Sequence, residues 1–207
     1  MSSRDAFDRE FWEGHWTDRD READRPPAHP VLQSELDGLV PGTALDAGCG
    51  EGAEAIWLAA HGWAVTGADI ASTALDRARA HAATDQLDIE WVEADLGRWM
   101  PPRQYDLVTT FYAHPDIPQL EFYRRIAGWV RPGGTLLIVG HLRDEDGDHG
   151  HETGGPVAHA TVGADDVVAL LEADGWRIVT AAEHTRTLGD ASGRPVRLDD
   201  VIVRATR

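Results

Sequence analysis

From residue 43 onward, short apolar runs alternate with stretches whose apolar positions recur every three or four residues. Thr43-Ala44-Leu45-Asp46-Ala47, Ala64-Val65-Thr66-Gly67-Ala68 and Ile89-Glu90-Trp91-Val92-Glu93 read as buried strands. So do Tyr105 to Phe111 and Thr135-Leu136-Leu137-Ile138-Val139. Between them, Glu51 to His61, Ser72 to Ala83 and a stretch near 118–129 read as helices. Ala55, Ile56, Leu58 and Ala59 share one side of the first, and Gly62 stops it. Ser72 or Thr73 is available to cap the second. Strands of about five residues alternating with helices of about ten predict βαβ units and a parallel sheet. Right-handed crossovers then place helices on both faces, a doubly wound arrangement.

The two ends break that rhythm. Residues 1–40 mix acids and arginines with Phe11, Trp12 and Trp16, then run through Arg25-Pro26-Pro27 and Pro30. A short amphipathic helix near 7–17 and another near 30–39 are expected, closed by Pro41-Gly42. At the other end, Asp165 to Asp174 reads as a helix and Trp176 to Thr187 as a strand. Gly189 to Arg197 reads as a turn region and Asp199 to Thr206 as the last strand. The fold class is therefore α/β, a mostly parallel sheet of seven strands ending in an antiparallel hairpin.

Composition narrows the partners. The 207 residues carry 19 basic and 36 acidic side chains, a net charge of −17, with 42% hydrophobic content. That is enough apolar side chain for one core, and the length suits a single domain. A chain this acidic repels phosphate backbones and anionic lipid, so neither nucleic acid nor a membrane surface is expected as partner. Cys49 is the single cysteine, which excludes an intramolecular disulfide and a cysteine-based zinc cage. The start, Met1-Ser2-Ser3-Arg4-Asp5, has no apolar leader, and no apolar run approaches roughly 18 residues. A cytoplasmic protein, monomer or homodimer, is expected. The segment from His141 to His159 holds four histidines among acids, but its spacing matches no compact metal motif, so no metal is expected.

The chemistry starts at Ala44-Leu45-Asp46-Ala47-Gly48-Cys49-Gly50-Glu51-Gly52-Ala53. This turn leaves the first strand and opens the first helix, at the point where an open parallel sheet binds its ligand. Its glycines allow positive φ and close approach of a ligand to bare backbone. Gly48, Gly50 and Ala53 also fit the spacing of a dinucleotide fingerprint, with Asp69 where a ribose-binding acid should stand. An NAD(P)-dependent oxidoreductase is therefore one reading, and a nucleotide-binding module without turnover another. Asp46 argues against the first. A carboxylate beside the turn disfavours a pyrophosphate and favours a cation, such as an ammonium or a sulfonium.

The segment Leu45-Asp46-Ala47-Gly48-Cys49-Gly50-Glu51-Gly52 resembles the first motif of class I S-adenosylmethionine-dependent methyltransferases. The resemblance continues through Val65-Thr66-Gly67-Ala68-Asp69-Ile70, Glu93-Ala94-Asp95-Leu96, Tyr105-Asp106-Leu107-Val108 and Arg131-Pro132-Gly133-Gly134-Thr135-Leu136. It covers roughly residues 40–140, implies a Rossmann-like sheet, and extends loosely to small bacterial tellurite-resistance and thiopurine methyltransferases. It implies S-adenosyl-L-methionine as cofactor and a role for each matching residue. Gly48 and Gly50 would pack against the methionine part, with Asp46 toward its ammonium. Asp69 would accept from both ribose hydroxyls, and Ile70 would pack on adenine. Asp95 would accept from the adenine amino group, with Ala94 and Leu96 beside it. Phe111 would offer a backbone carbonyl to the ammonium. Each acid has a competing local role: Asp46 capping the turn, Asp69 capping the second helix, Asp95 as a turn residue.

Methyl transfer is an in-line displacement with a good leaving group, so the enzyme mainly positions the nucleophile and excludes water. Small-molecule oxygen, nitrogen or sulfur acceptors are expected. An amine or hydroxyl must also lose a proton. His114, in Phe111-Tyr112-Ala113-His114-Pro115, is the candidate base, and Tyr112 is a candidate donor or pocket wall. His141, just past the fifth strand, lies at the same edge. Trp12, His15 and Trp16 are candidates for an N-terminal lid over substrate, residues 1–40 thus serving a core over 41–207. The turn after the fourth strand lacks the Asn/Asp-Pro-Pro-aromatic run of amino-directed base methyltransferases.

Overall fold

The computed structural model describes residues 7–18, 27–142, 161–189 and 195–207. Two helices come first, α1 (Arg9–Asp18) and α2 (Val31–Leu36), then β1 (Thr43–Ala47), α3 (Ala53–Ala60) and β2 (Ala64–Asp69). They are followed by α4 (Ser72–Thr84), β3 (Glu90–Glu93), β4 (Tyr105–Phe111), α5 (Gln119–Ala127) and β5 (Val130–His141). The chain closes with α6 (Ala164–Ala173), β6 (Arg177–Gly189) and β7 (Pro195–Thr206).

The strands form one seven-stranded sheet in the order β3-β2-β1-β4-β5-β7-β6. The first five strands pair in parallel, and β7 lies antiparallel between β5 and β6. The Rossmann-like, doubly wound sheet with its antiparallel hairpin is thus present. Its order reverses between β1 and β4, which puts a ligand crevice beyond their carboxyl ends.

Successive residues of each strand serve opposite cores. Leu136 and Ile138 face a cluster under α5 and α6, whereas Leu137 and Val139 face one under α2 and α3. Val201 and Val203 join the first and Ile202 the second. This explains why the strands read as continuous apolar runs, since a sheet covered on both faces has no polar side.

Several boundaries and one cap depart from the sequence reading. β5 begins at Val130, five residues before the expected strand, because Val130 already pairs with Tyr105; Gly133 then takes φ +79° and the register shifts before Thr135 meets Leu107. The helix expected over 30–39 ends at Leu36. Neither Ser72 nor Thr73 caps α4; its N-cap is Ala71, and the cap comes from another helix. Of the turn region expected over Gly189 to Arg197, Gly189 belongs to β6 and β7 begins at Pro195, four residues before the expected strand; residues 190–194, and residues 143–160 of the histidine-rich segment, lie outside the described residues. Among the described residues no three His, Cys, Asp or Glu side chains are grouped to hold a metal, and no helix is long and apolar enough to cross a membrane.

Candidate active site

A cavity of about 390 Å³ opens at the carboxyl ends of β1 and β4, floored by the Gly48–Gly50 turn. The turn is built by backbone bonds across strands. Gly48 N–H and Cys49 N–H both donate to the Ala68 carbonyl, at 2.8 and 3.1 Å. Gly50 N–H donates to Asp69 Oδ2 at 2.9 Å, tying the turn to the end of β2.

The glycines are needed for two reasons. Gly48 has φ +82° and Gly50 φ +50°, in the left-handed region that costs other residues energy. A side chain at Gly48 would also put its Cβ 2.2 Å from the Ala113 Cβ. The loop after β4 therefore packs directly on the turn, and the bare α-carbon serves that contact. At Gly50 the space belongs to the Trp16 ring, 2.9 Å from an added Cβ. Gly48→Ala should destabilise the fold by about 2–4 kcal/mol through strain plus overpacking. A thermal melt would register that as a lower midpoint, and an unchanged melt would remove the steric account.

Besides Glu51, which pairs with Arg77, three carboxylates surround the turn. Asp46 is 1% exposed and lies behind it rather than in the cavity wall. Its Oδ1 accepts from the Thr109 hydroxyl at 3.0 Å, while Oδ2 has no hydrogen-bond partner among the described residues. Glu54 lines the cavity and accepts from the His29 N–H at 3.0 Å. Asp69 also lines it. Burial pushes the Asp46 carboxyl well above its ordinary range, and repulsion from Glu54 and Asp69 adds to this. Burial likewise raises Glu54 and Asp69, despite the backbone N–H groups that hydrogen-bond to each. Buried carboxylates held close together are a standing cost that a bound cation relieves. No Lys or Arg lines the cavity among the described residues. An orphaned carboxylate oxygen and an anionic wall fit an ammonium or sulfonium group and disfavour a pyrophosphate.

Comparison with known proteins agrees. Residues 44–134 match the family described as Methyltransferase domain. The chain is 30% identical over 193 residues to the Ubiquinone biosynthesis O-methyltransferase of Aeromonas salmonicida, covering 86% of this chain and 76% of that one. This chain belongs to the class I S-adenosylmethionine-dependent methyltransferases. It is also 26% identical over 208 residues to the protein named Probable thiol methyltransferase 2 of Arabidopsis thaliana, covering 93% of this chain and 88% of that one. The fold matches magnesium protoporphyrin IX methyltransferase of Synechocystis with bound S-adenosylhomocysteine, at TM-score 0.65 and 22% identity over 86% of this chain and 79% of that one. The oxidoreductase reading is not favoured.

The remaining positions of this methyltransferase fall as follows. Ile70, Asp95, Leu96 and Phe111 line the cavity. Asp95 Oδ1 accepts from Gly97 N–H at 2.9 Å, closing a local turn, so its competing role as a turn residue is also filled. Ala94 is buried outside the cavity wall, its N–H given to the Asp69 carbonyl at 2.8 Å. Asp69 Oδ1 accepts from Ala71 N–H at 2.9 Å, so it too supports the start of α4 while keeping its place in the wall.

Tyr112, His114 and His141 are brought together beyond the turn. The imidazoles of His114 and His141 stack with centroids 5.4 Å apart, and the Tyr112 ring is 4.7 Å from His141. Tyr112 has φ +54°, a strained conformation for a bulky residue. It is held by its hydroxyl, which donates to Asp200 Oδ1 at 2.7 Å and accepts from Arg186 at 2.8 Å. Arg186 and His29 also reach Asp200 Oδ2, at 2.5 and 3.4 Å. Burial opposes the Asp200 charge, but the His29, Tyr112 and Arg186 hydrogen bonds outweigh it and hold the carboxyl down to about 2. Burial and the Asp200 bond raise the Tyr112 hydroxyl above its ordinary range, so its proton stays committed to Asp200. The ring, not the hydroxyl, is what Tyr112 presents to the cavity.

Helix α1 closes the other side, with Trp12, His15 and Trp16 in the cavity wall beside Phe7. Its anchor is Glu13, a residue the sequence reading missed. The Glu13 carboxylate accepts from Ser72 N–H and hydroxyl at 2.6 and 2.8 Å, and from Thr73 N–H at 3.2 Å. An acid from one helix thus caps another, where the exposed N–H groups favour an anion. Burial opposes ionisation, yet the Thr73 and Ser72 bonds keep the Glu13 carboxyl below its ordinary range. Arg77 of α4 donates to the Trp16 carbonyl and to Glu51, each at 2.6 Å, and Trp12 Nε1 donates to the His114 carbonyl at 3.2 Å. No sequence spacing marks these contacts.

Proposed function

We propose that this methyltransferase modifies a small molecule without anionic groups, at an oxygen, nitrogen or sulfur nucleophile. One observation carries the reading: the wall beyond the turn includes Phe7, Trp12, Tyr112, His114 and His141, with no Lys or Arg among the described residues that line it. Aromatic and imidazole faces suit a flat or cationic acceptor, and neutral imidazoles hold a phosphate far less well than Lys or Arg would. The net charge of −17 weighs against a nucleic-acid substrate in the same direction. The names of two relatives point to oxygen and sulfur acceptors.

When bound, S-adenosylmethionine supplies an electrophilic methyl group on a cationic sulfur. Asp69 would accept from both ribose hydroxyls, its two oxygens matching a vicinal diol. Ile70 and Leu96 would sandwich adenine, and Asp95 would accept from its amino group. Asp46 and Glu54 would offset the ammonium charge, with the Phe111 carbonyl as a further acceptor. Trp12, His15 and Trp16 would cover both ligands, so that residues 1–40 act as a lid of one domain and exclude water. His114 would take the proton from a hydroxyl or amine acceptor.

Calorimetric titration with S-adenosylhomocysteine should show one site per chain. Tryptophan emission should change on saturation, and Trp16→Leu should abolish most of that change. A screen of phenols, thiols and amines with isotopically labelled donor should then give transfer, with acidic analogues poor. Preferential transfer to carboxylated or phosphorylated acceptors, or to an oligonucleotide, would overturn the reading.

A further inference from the structure

The side chain behind His114 decides which of its nitrogens can act. His114 is 8% exposed, and its Nδ1 lies 3.2 Å from Gln119 Oε1, in the first turn of α5. An imidazole–amide contact is ambiguous by itself, because either group can be turned over. Here the amide is pinned. Gln119 Nε2 donates to the Ala113 carbonyl at 3.0 Å, which leaves Oε1, a pure acceptor, toward the ring. The Ala113 carbonyl cannot donate, so the reverse amide orientation would set two acceptors against each other. An acceptor at Nδ1 requires a proton there, and a neutral imidazole carries only one.

We infer that Gln119 is a positioning residue: it holds the single proton of neutral His114 on Nδ1 and so leaves the Nε2 lone pair as the ring's base. This rests on the reading of His114 as the group that deprotonates the acceptor. In that step the acceptor's O–H or N–H bond breaks, its proton goes to Nε2, and its electron pair stays on the nucleophile. The Nδ1–H stays on the ring and donates to Gln119 Oε1 throughout.

The choice of an amide over a carboxylate has a chemical consequence. An acid at position 119 would stabilise the imidazolium and so keep more of the base protonated at any given pH. The neutral amide orients without charging. Burial lowers the His114 titration below its ordinary value, and the Gln119 bond offsets this only in part. Of the other titratable groups, His141 from β5 stacks on the ring, Tyr112 just past β4 contacts His141 in turn, Tyr123 from α5 contacts Gln119, and His15 from α1 lines the same cavity. Burial raises Tyr123 to about 12, so it is uncharged. The carboxylates Glu51, Glu54, Asp69 and Asp95 line the same cavity without a direct bond to the ring.

Long-range nitrogen–carbon-proton NMR of the full chain labelled with 15N-histidine tests this without any acceptor, the His114 signals being assigned by their loss in His114→Gln. At pH 7 the wild-type ring should show the Nδ1–H pattern. Gln119→Glu, which keeps the volume, should raise the His114 titration midpoint by about one unit or more, a tenfold stronger proton affinity. Gln119→Leu should relax the ring toward a mixture of tautomers. An Nε2–H pattern in the wild type would overturn the assignment, as would an unmoved midpoint in a folded Gln119→Glu. Failure of the base reading is seen separately, as an undiminished methylation rate in His114→Gln.

Discussion

Asp69→Ala should weaken S-adenosylhomocysteine binding at least a hundredfold in a calorimetric titration. The carboxylate stands in the cavity wall at the end of β2 and keeps free lone pairs after accepting from Gly50 and Ala71. Two hydrogen bonds from a ribose diol to a charged group are worth about 3–6 kcal/mol together, beyond the roughly 2.7 kcal/mol of a hundredfold change. The structure adds a second effect that the motif alone does not imply. Removing the carboxylate also strips acceptors from two backbone N–H groups, one of them in the glycine turn. Stability should fall by about 2 kcal/mol, since the open cavity lets water replace part of what is lost. A cooperative melt with unchanged affinity would remove Asp69 from the ribose role. An unfolded variant is answered by Asp69→Asn, which keeps the shape but turns a donor toward one of those N–H groups. It should still lose most of the affinity.

His114→Ala should slow methylation of a hydroxyl or amine by about a hundredfold to ten-thousandfold, the range for loss of a positioned general base. Binding of S-adenosylhomocysteine should change by less than about threefold, since the glycine turn and its carboxylates are untouched. The pH dependence follows from the direction of the shift. Burial favours the neutral imidazole, so the proton affinity of His114 is below that of a free side chain. The wild-type rate should stay level through neutral pH and drop in acid, below the ordinary histidine value of about 6.5, as the ring protonates. In the alanine variant that acid limb should vanish. A single-turnover assay with labelled donor reads both, and an undiminished rate on a hydroxyl acceptor would exclude the base.

The alternation of apolar runs and helical periods already determined the βαβ core, because strand and helix follow from side-chain spacing along the chain itself. β1 and β4 occupy the residues expected of them. The glycine turn with Asp46, Asp69 and Asp95 was legible for a related reason: backbone that must adopt positive φ at fixed points leaves a local signature. Tertiary structure alone decided the far side of the cavity. Glu13 reaches across 59 residues to cap α4, Trp12 reaches across 102 to His114, and Tyr112 reaches across 88 to Asp200. Gln119 stands only 5 residues from His114, yet its role depends on which way an amide is turned, and that depends on the Ala113 carbonyl. Such contacts leave no period in the sequence, because each is set by how separate elements meet in space, and a glutamate in a short helix or a first-turn glutamine looks the same with or without a partner.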